Sequence, residues 1–250
     1  MRFVPLLLIL AACDAKPASP AAPTASTNPV GVPGPAGFGT IVGVVRVKGG
    51  DVAPVTKKLA GQEQHCGTEP VDLGVWLVGA SGGLRDAHVV VEGVKGEWPK
   101  ASIPTLDNGK CVFTPPVILM QPGDLKVANS DSIPHSASFN ALANPPENVM
   151  LPEGRSRMLT WRIAERIEIT CSVHPWMHAV VIVMKSPLEA LTGEGGAFEI
   201  RGVPAGTRRV KVWHRCVGEV DAGEVEVKAD GTATIVIEVE PKHGFRGRFK

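Results

Sequence analysis

Glycine and proline most constrain what this chain can become. Its 250 residues hold 28 Gly and 22 Pro, spaced so that no window sustains a long helical period. Between them lie short runs rich in β-branched residues, which read as strands over 40–48, 86–92, 125–129, 158–163, 166–171 and 179–184. Four more follow over 198–201, 208–214, 224–228 and 233–240. Residues 187–191 read as a short helical turn. The fold class is therefore all-β, and strands at this spacing point to sandwiches or barrels. A formal net charge of +1 leaves no surplus to neutralise phosphates, which argues against a nucleic-acid partner.

The first residues read as an export signal. Met1 and Arg2 precede the apolar run Phe3 to Leu10, which is too short to span a bilayer as a helix. The following Leu10-Ala11-Ala12-Cys13 resembles the bacterial lipoprotein signal, which implies residues 1–13 as leader and lipid on Cys13. The alternative is an ordinary cleaved leader that contains a cysteine. Residues 14–38, dominated by Ala, Pro, Ser, Thr and Gly, read as a disordered tether. These features place the protein on the periplasmic or cell-surface side of a bacterial membrane. An oxidising compartment makes one disulfide plausible among Cys66, Cys111 and Cys216. Cys66–Cys111 is favoured, with the other pairings left open. His65 is then read as the neighbour of a disulfide and not as a metal ligand.

The chemistry lies in Cys171-Ser172-Val173-His174-Pro175-Trp176-Met177. An ion cycling between Cu(I) and Cu(II) needs a thiolate for the softer state and imidazoles for either. A loop this short between two strands makes its side chains converge, and Pro175 stiffens it by fixing its own φ and restricting His174. A distant imidazole comes from His135, downstream of Phe113-Thr114-Pro115, Gly123-Asp124 and Asn129-Ser130-Asp131. Together with Cys-x2-His-x2-Met, these residues resemble the cupredoxins, and the loop spacing is most similar to that of amicyanin. The resemblance implies a Greek-key β-sandwich, assigned to residues 96–185, holding one mononuclear copper. It implies His135, Cys171 and His174 as equatorial ligands and Met177 as the axial one, with Asn129, Ser136, Pro175 and Trp176 around them. Two departures bear on the site: Ser136 stands where many cupredoxins have Asn, and His178 is an alternative ligand. Met120, Met150, Met158 and Met184 read as core fillers, His88 as structural, and Trp213-His214 as core.

A second resemblance rests on Gly195-Gly196-Ala197-Phe198-Glu199-Ile200, Gly202-Val203-Pro204-Ala205-Gly206 and Val210-Lys211-Val212, with Gly39 to Val45 as a first strand. These are similar to carboxypeptidase regulatory-like, transthyretin-like β-sandwiches. They imply a second, smaller sandwich split over 39–95 and 186–240, with a basic, solvated tail over 241–250. A competing assignment gives strand 86–92 to the copper unit.

No HExxH, Walker loop or nucleophile elbow occurs, and the further His clusters of a second copper centre are missing, so the chain reads as a non-enzyme. The expected function is single-electron transfer, with a redox partner docking near His174 and Trp176. For Trp176 an equal alternative is shielding of the metal. The rivals are copper handling (delivery, sensing or sequestration) and a surface-exposed binding module with the cupredoxin fold as scaffold.

Overall fold

The computed structural model describes residues 37–246 apart from 50, 51 and 95. The expected leader with Cys13, nearly all of the tether and the last four residues lie outside the described residues. The chain opens with β1 (Phe38–Val47), then β2 (Thr56–Lys57), the one-turn helix α1 (Glu63–Cys66), β3 (Val71–Asp72) and β4 (His88–Val91). A middle block follows: β5 (Thr105–Gly109), β6 (Val112–Thr114), β7 (Val117–Met120), β8 (Gly123–Asn129) and β9 (His135–Asn140). It continues through β10 (Glu147–Leu151), β11 (Ser156–Trp161), β12 (Glu165–Thr170) and β13 (His178–Val183). The last strands are β14 (Glu189–Leu191), β15 (Ala197–Pro204), β16 (Gly206–His214), β17 (Gly218–Val227) and β18 (Thr232–Val239). The molecule is an all-β sandwich protein.

The middle block forms two sheets, ordered β10-β9-β12-β13-β7 and β11-β8-β5-β6. Alternation sends Leu125 and Val127 inward from one sheet, and Ile167 and Ile169 from the other, into one core with Phe139 and Trp161. The flanking segments form sheets β15-β1-β18 and β14-β4-β16-β17 around a separate core. In the first of these, β1 runs antiparallel to β15 and parallel to β18, so strands far apart in sequence close one sheet. Strand β4 pairs with β14 and β16 and with no strand of the middle block, which overturns its competing assignment there. The Gly-Gly pair at 195–196 is required by close approach: a Cβ on Gly196 (φ +77°) would fall 2.2 Å from the Val45 carbonyl oxygen.

The two units share a wall. β13 reads His-Ala-Val-Val-Ile-Val, and its last five residues are all buried. Ala179, Val181 and Val183 face the middle core. Val180 and Ile182 face the other way, packing with Val117 of β7 against Leu191 and Trp213 of the second unit. A continuous apolar run is what a strand covered on both faces requires. Arg166 spans the same junction, 2.9 Å from Glu219 and stacked over Trp213.

Three expectations are corrected. Residues 189–191 are strand and not a helical turn, because pairing with β4 supplies the hydrogen bonds a turn would make locally. The described part of the tail is packed: Phe245 is buried with its ring 4.8 Å from Trp76, and Lys242 N donates to the Cys216 carbonyl oxygen. Met150 and Met158 are exposed at 56% and 48%, because they alternate with the inward-facing Val149, Leu151 and Leu159.

Candidate metal centre

The loop 171–177 is set by the strands that flank it. Thr170 pairs with His178 across β12 and β13, so the seven intervening residues must turn back at once. Two backbone bonds close the turn: Met177 N donates to the His174 carbonyl oxygen (3.0 Å) and Cys171 N to that of Met177 (3.4 Å). Cys171 and Met177 enter the middle core, whereas His174 packs beneath the ring of Trp176, with centroids 5.1 Å apart.

His135, the first residue of β9, arrives from the neighbouring strand and is fully buried. Its Nδ1 lies 2.9 Å from Nδ1 of His174, and that nitrogen lies 3.8 Å from Sγ of Cys171. All three donor atoms fall within 4.8 Å of one another, and the three residues are at most 4% exposed. Met177 is buried (1%) in the same core as Cys171. His178 is not among the converging donors; strand alternation turns it to the face opposite Met177 and Ala179.

Electrostatics suit metal binding. Burial opposes the Cys171 thiolate, but hydrogen bonds from His135 and from Ser136 outweigh it and bring the thiol down to about 7. For His135, burial works against the proton, yet bonding to Cys171 and Asp131 raises its pKa overall. His174 is lowered, first by burial and then by the charge of His135. Two imidazole nitrogens facing each other beside a thiolate-prone sulfur form a donor set for a soft or borderline transition metal. They do not suit magnesium or calcium, which take oxygen ligands.

The surroundings lock these side chains. Ser136 Oγ accepts from Ser172 N at 2.8 Å and donates to Cys171 Sγ at 3.6 Å, so it joins the two ligand segments. Asn129 Nδ2 donates to the Ile133 and Leu151 carbonyls, and its Oδ1 accepts from Asp131 N. Asp131 holds His135 from behind, with Oδ2 2.8 Å from Nε2. A carboxylate there fixes the ring so that Nδ1 points at the other donors. Sequence reasoning gave Asp131 no role; its signal was the Asn-x-Asp placed just before His135. Trp176 is half-buried and packs against both cores, and its Nε1 donates to the Cys111 carbonyl oxygen at 2.9 Å. His174, near which a redox partner was expected to dock, is only 3% exposed. Cys66 and Cys111 form a disulfide, and Cys216 is buried with its Sγ 3.2 Å from the Val75 carbonyl oxygen.

No protein-family model and no curated protein matches the sequence. Among solved structures, it aligns with the Cu-containing nitrite reductase (NirK) from Thermus scotoductus SA-01 at 19% identity and a TM-score of 0.32, over 38% of this chain and 25% of that one. A methionine-to-alanine variant of amicyanin in the Cu(I) form aligns at 17% identity and 0.31, over 38% and 98%. A purple cupredoxin from Nitrosopumilus maritimus aligns at 20% and 0.29, over 33% and 100%. The chain thus spans a quarter of the length of the first of these and nearly all of the other two.

Proposed function

We propose that the middle block is a type 1 copper unit that carries single electrons between redox proteins. The observation that carries this is the convergence of His135 Nδ1, His174 Nδ1 and Cys171 Sγ, all three residues buried, on the loop whose turn Met177 closes. Copper bound there would supply a one-electron Cu(II)/Cu(I) couple. Cys171 would offer the thiolate, His135 and His174 the imidazoles, and Met177 the weak axial thioether. The protein's own part is rigidity. Asp131 orients one ring, Trp176 covers the other, and Ser136 ties the thiol-bearing loop to β9. A site that moves little between oxidation states exchanges electrons without rebuilding its ligands. With His174 buried, this reading takes the Trp176 side of the loop as the face for a redox partner. Nothing in this arrangement makes or breaks a substrate bond, so the reading is a carrier and not an enzyme.

Copper handling ranks second because it calls for open donors, and these are closed. The same proposal places the protein outside the cytoplasm with lipid on Cys13. The Cys66–Cys111 disulfide supports an oxidising compartment. Mass spectrometry of the mature N-terminus tests the anchor.

The deciding experiment is the visible spectrum of the full chain loaded with Cu(II). An intense thiolate-to-copper band that disappears in Cys171→Ser is expected. Stoichiometric copper without that band would replace electron carriage by copper handling. Absence of copper binding would sink both.

A further inference from the structure

The hairpin joining β5 to β6 turns on Lys110 and Cys111, whose φ angles are +53° and +58°. Gly109 pairs with Val112 across it, so these two residues occupy the central positions of a two-residue turn that Asn-Gly normally fills. Neither is glycine, and consecutive left-handed residues with side chains persist only where surrounding contacts impose them.

Those contacts all lead to the metal centre. Lys110 N donates to Asp131 Oδ1 at 2.6 Å and Cys111 N to Asp131 Oδ2 at 2.8 Å. That same Oδ2 holds His135 Nε2. On its other side, the Cys111 carbonyl oxygen accepts the Trp176 indole N–H, and the Trp176 ring covers His174. One residue therefore touches the support of each imidazole. Its own side chain, fully buried, is bonded to Cys66 at the end of α1, 45 residues earlier in the chain.

We propose that the Cys66–Cys111 cystine is a positioning device for both copper imidazoles, acting on His135 through Asp131 and on His174 through Trp176. The proposal rests on the copper reading above. It makes the segment before β4 part of the metal site, although that segment supplies no ligand. A disulfide that served stability alone would have no reason to sit in a left-handed turn whose two amides and one carbonyl are committed to the supports of the ligands.

The test compares the full chain with its Cys66→Ala/Cys111→Ala variant. Both are read as Cu(I) protein by the imidazole ring signals in 1H–15N spectra, and as Cu(II) protein by the visible band. The expected result is displacement of the ring signals of both His135 and His174, a shifted band, and copper affinity lower by about tenfold. Trp176→Phe, which keeps the cystine, should displace His174 alone. Unmoved ring signals and an unmoved band, with only the melting temperature lowered, would overturn the proposal. If the double variant does not fold, the Cu(I)-loaded wild-type chain is treated with a water-soluble phosphine. Phosphine and water convert the S–S bond to two thiols and leave phosphine oxide, and the same displacement or its absence decides. If the wild type binds copper without the intense band, the type 1 reading fails, and if it binds none, copper itself fails. The ring signals of the metal-free protein then still show whether the cystine sets the two imidazoles.

Discussion

The two units bury histidines in opposite ways. In the second unit, His88 Nε2 lies 2.8 Å from Glu189 Oε2, and Glu189 also accepts from Lys185 N and Ser186 N. His214, 2% exposed, accepts from Cys216 N. Each ring finds a partner within the chain for one nitrogen, and Nδ1 of His88 is buried without one. In the middle unit, His135 spends only its outer nitrogen on Asp131, and its inner one faces His174. Burying polar groups is costly unless they are paired. A pair of imidazoles aimed at each other beside a thiol is the signature of a partner that is not an amino acid. Neither burial nor one unpartnered nitrogen marks a site, since His88 has both; what marks it is that two rings bring nitrogens together beside a thiol.

The comparison can be broken from either side. The largest effect is expected at Cys171: Cys171→Ser should remove the whole visible band and lower copper affinity by about a hundredfold or more, by titration against a competing chelator. Next comes Glu189→Ala, which strips a buried histidine of its partner and should cost about 3 kcal/mol of stability by denaturant unfolding. The Cu(II) spectrum should not move, and a moved spectrum would mean the two units are not separate in this respect.

The pH dependence is third. Burial, with the charge of Arg215, lowers His214 from the ordinary 6.5 to about 3. The unfolded chain therefore takes up a proton before the folded one does. The contribution is complete above pH 6.5 and is lost as pH falls from 6.5 toward 3, at about 1 kcal/mol per pH unit. His214→Gln should flatten that stretch of the stability profile of the metal-free protein. Ser136→Ala should cost about 1 kcal/mol and shift the band slightly without abolishing it, because it removes one link between ligand segments. The smallest change is Arg166→Gln, below about 1 kcal/mol, since that ion pair is half in solvent.

What the sequence disclosed followed the range of the interaction. The approach of Cys171 and His174 was legible because both lie within one short turn between paired strands, where the spacing brings their side chains together. The apolar runs of β1, β4 and β13 were legible because burial leaves its period in the residues. β9 was missed as a strand: its His-Ser-Ala-Ser-Phe-Asn is small and polar, although five of its six residues are buried or half-buried. The hold of Asp131 on the Lys110–Cys111 turn was illegible because its meaning is tertiary, bringing together residues about 20 apart. The seating of Phe245 on Trp76 is more distant still, and a basic stretch gives no local sign of it.

The doubly covered β13 bears on how the molecule can be divided. One of its faces lines the middle core; the other, with Val117, is the seat of the second unit. Excising residues 96–185 would uncover Val117, Val180 and Ile182, each worth about 1.5–3 kcal/mol when buried. It would also sever the Cys66–Cys111 bond. Such a fragment would carry every proposed copper ligand and still self-associate through that face. The middle unit of this protein is thus a lodger in a larger house, complete in its furnishings but sharing a structural wall.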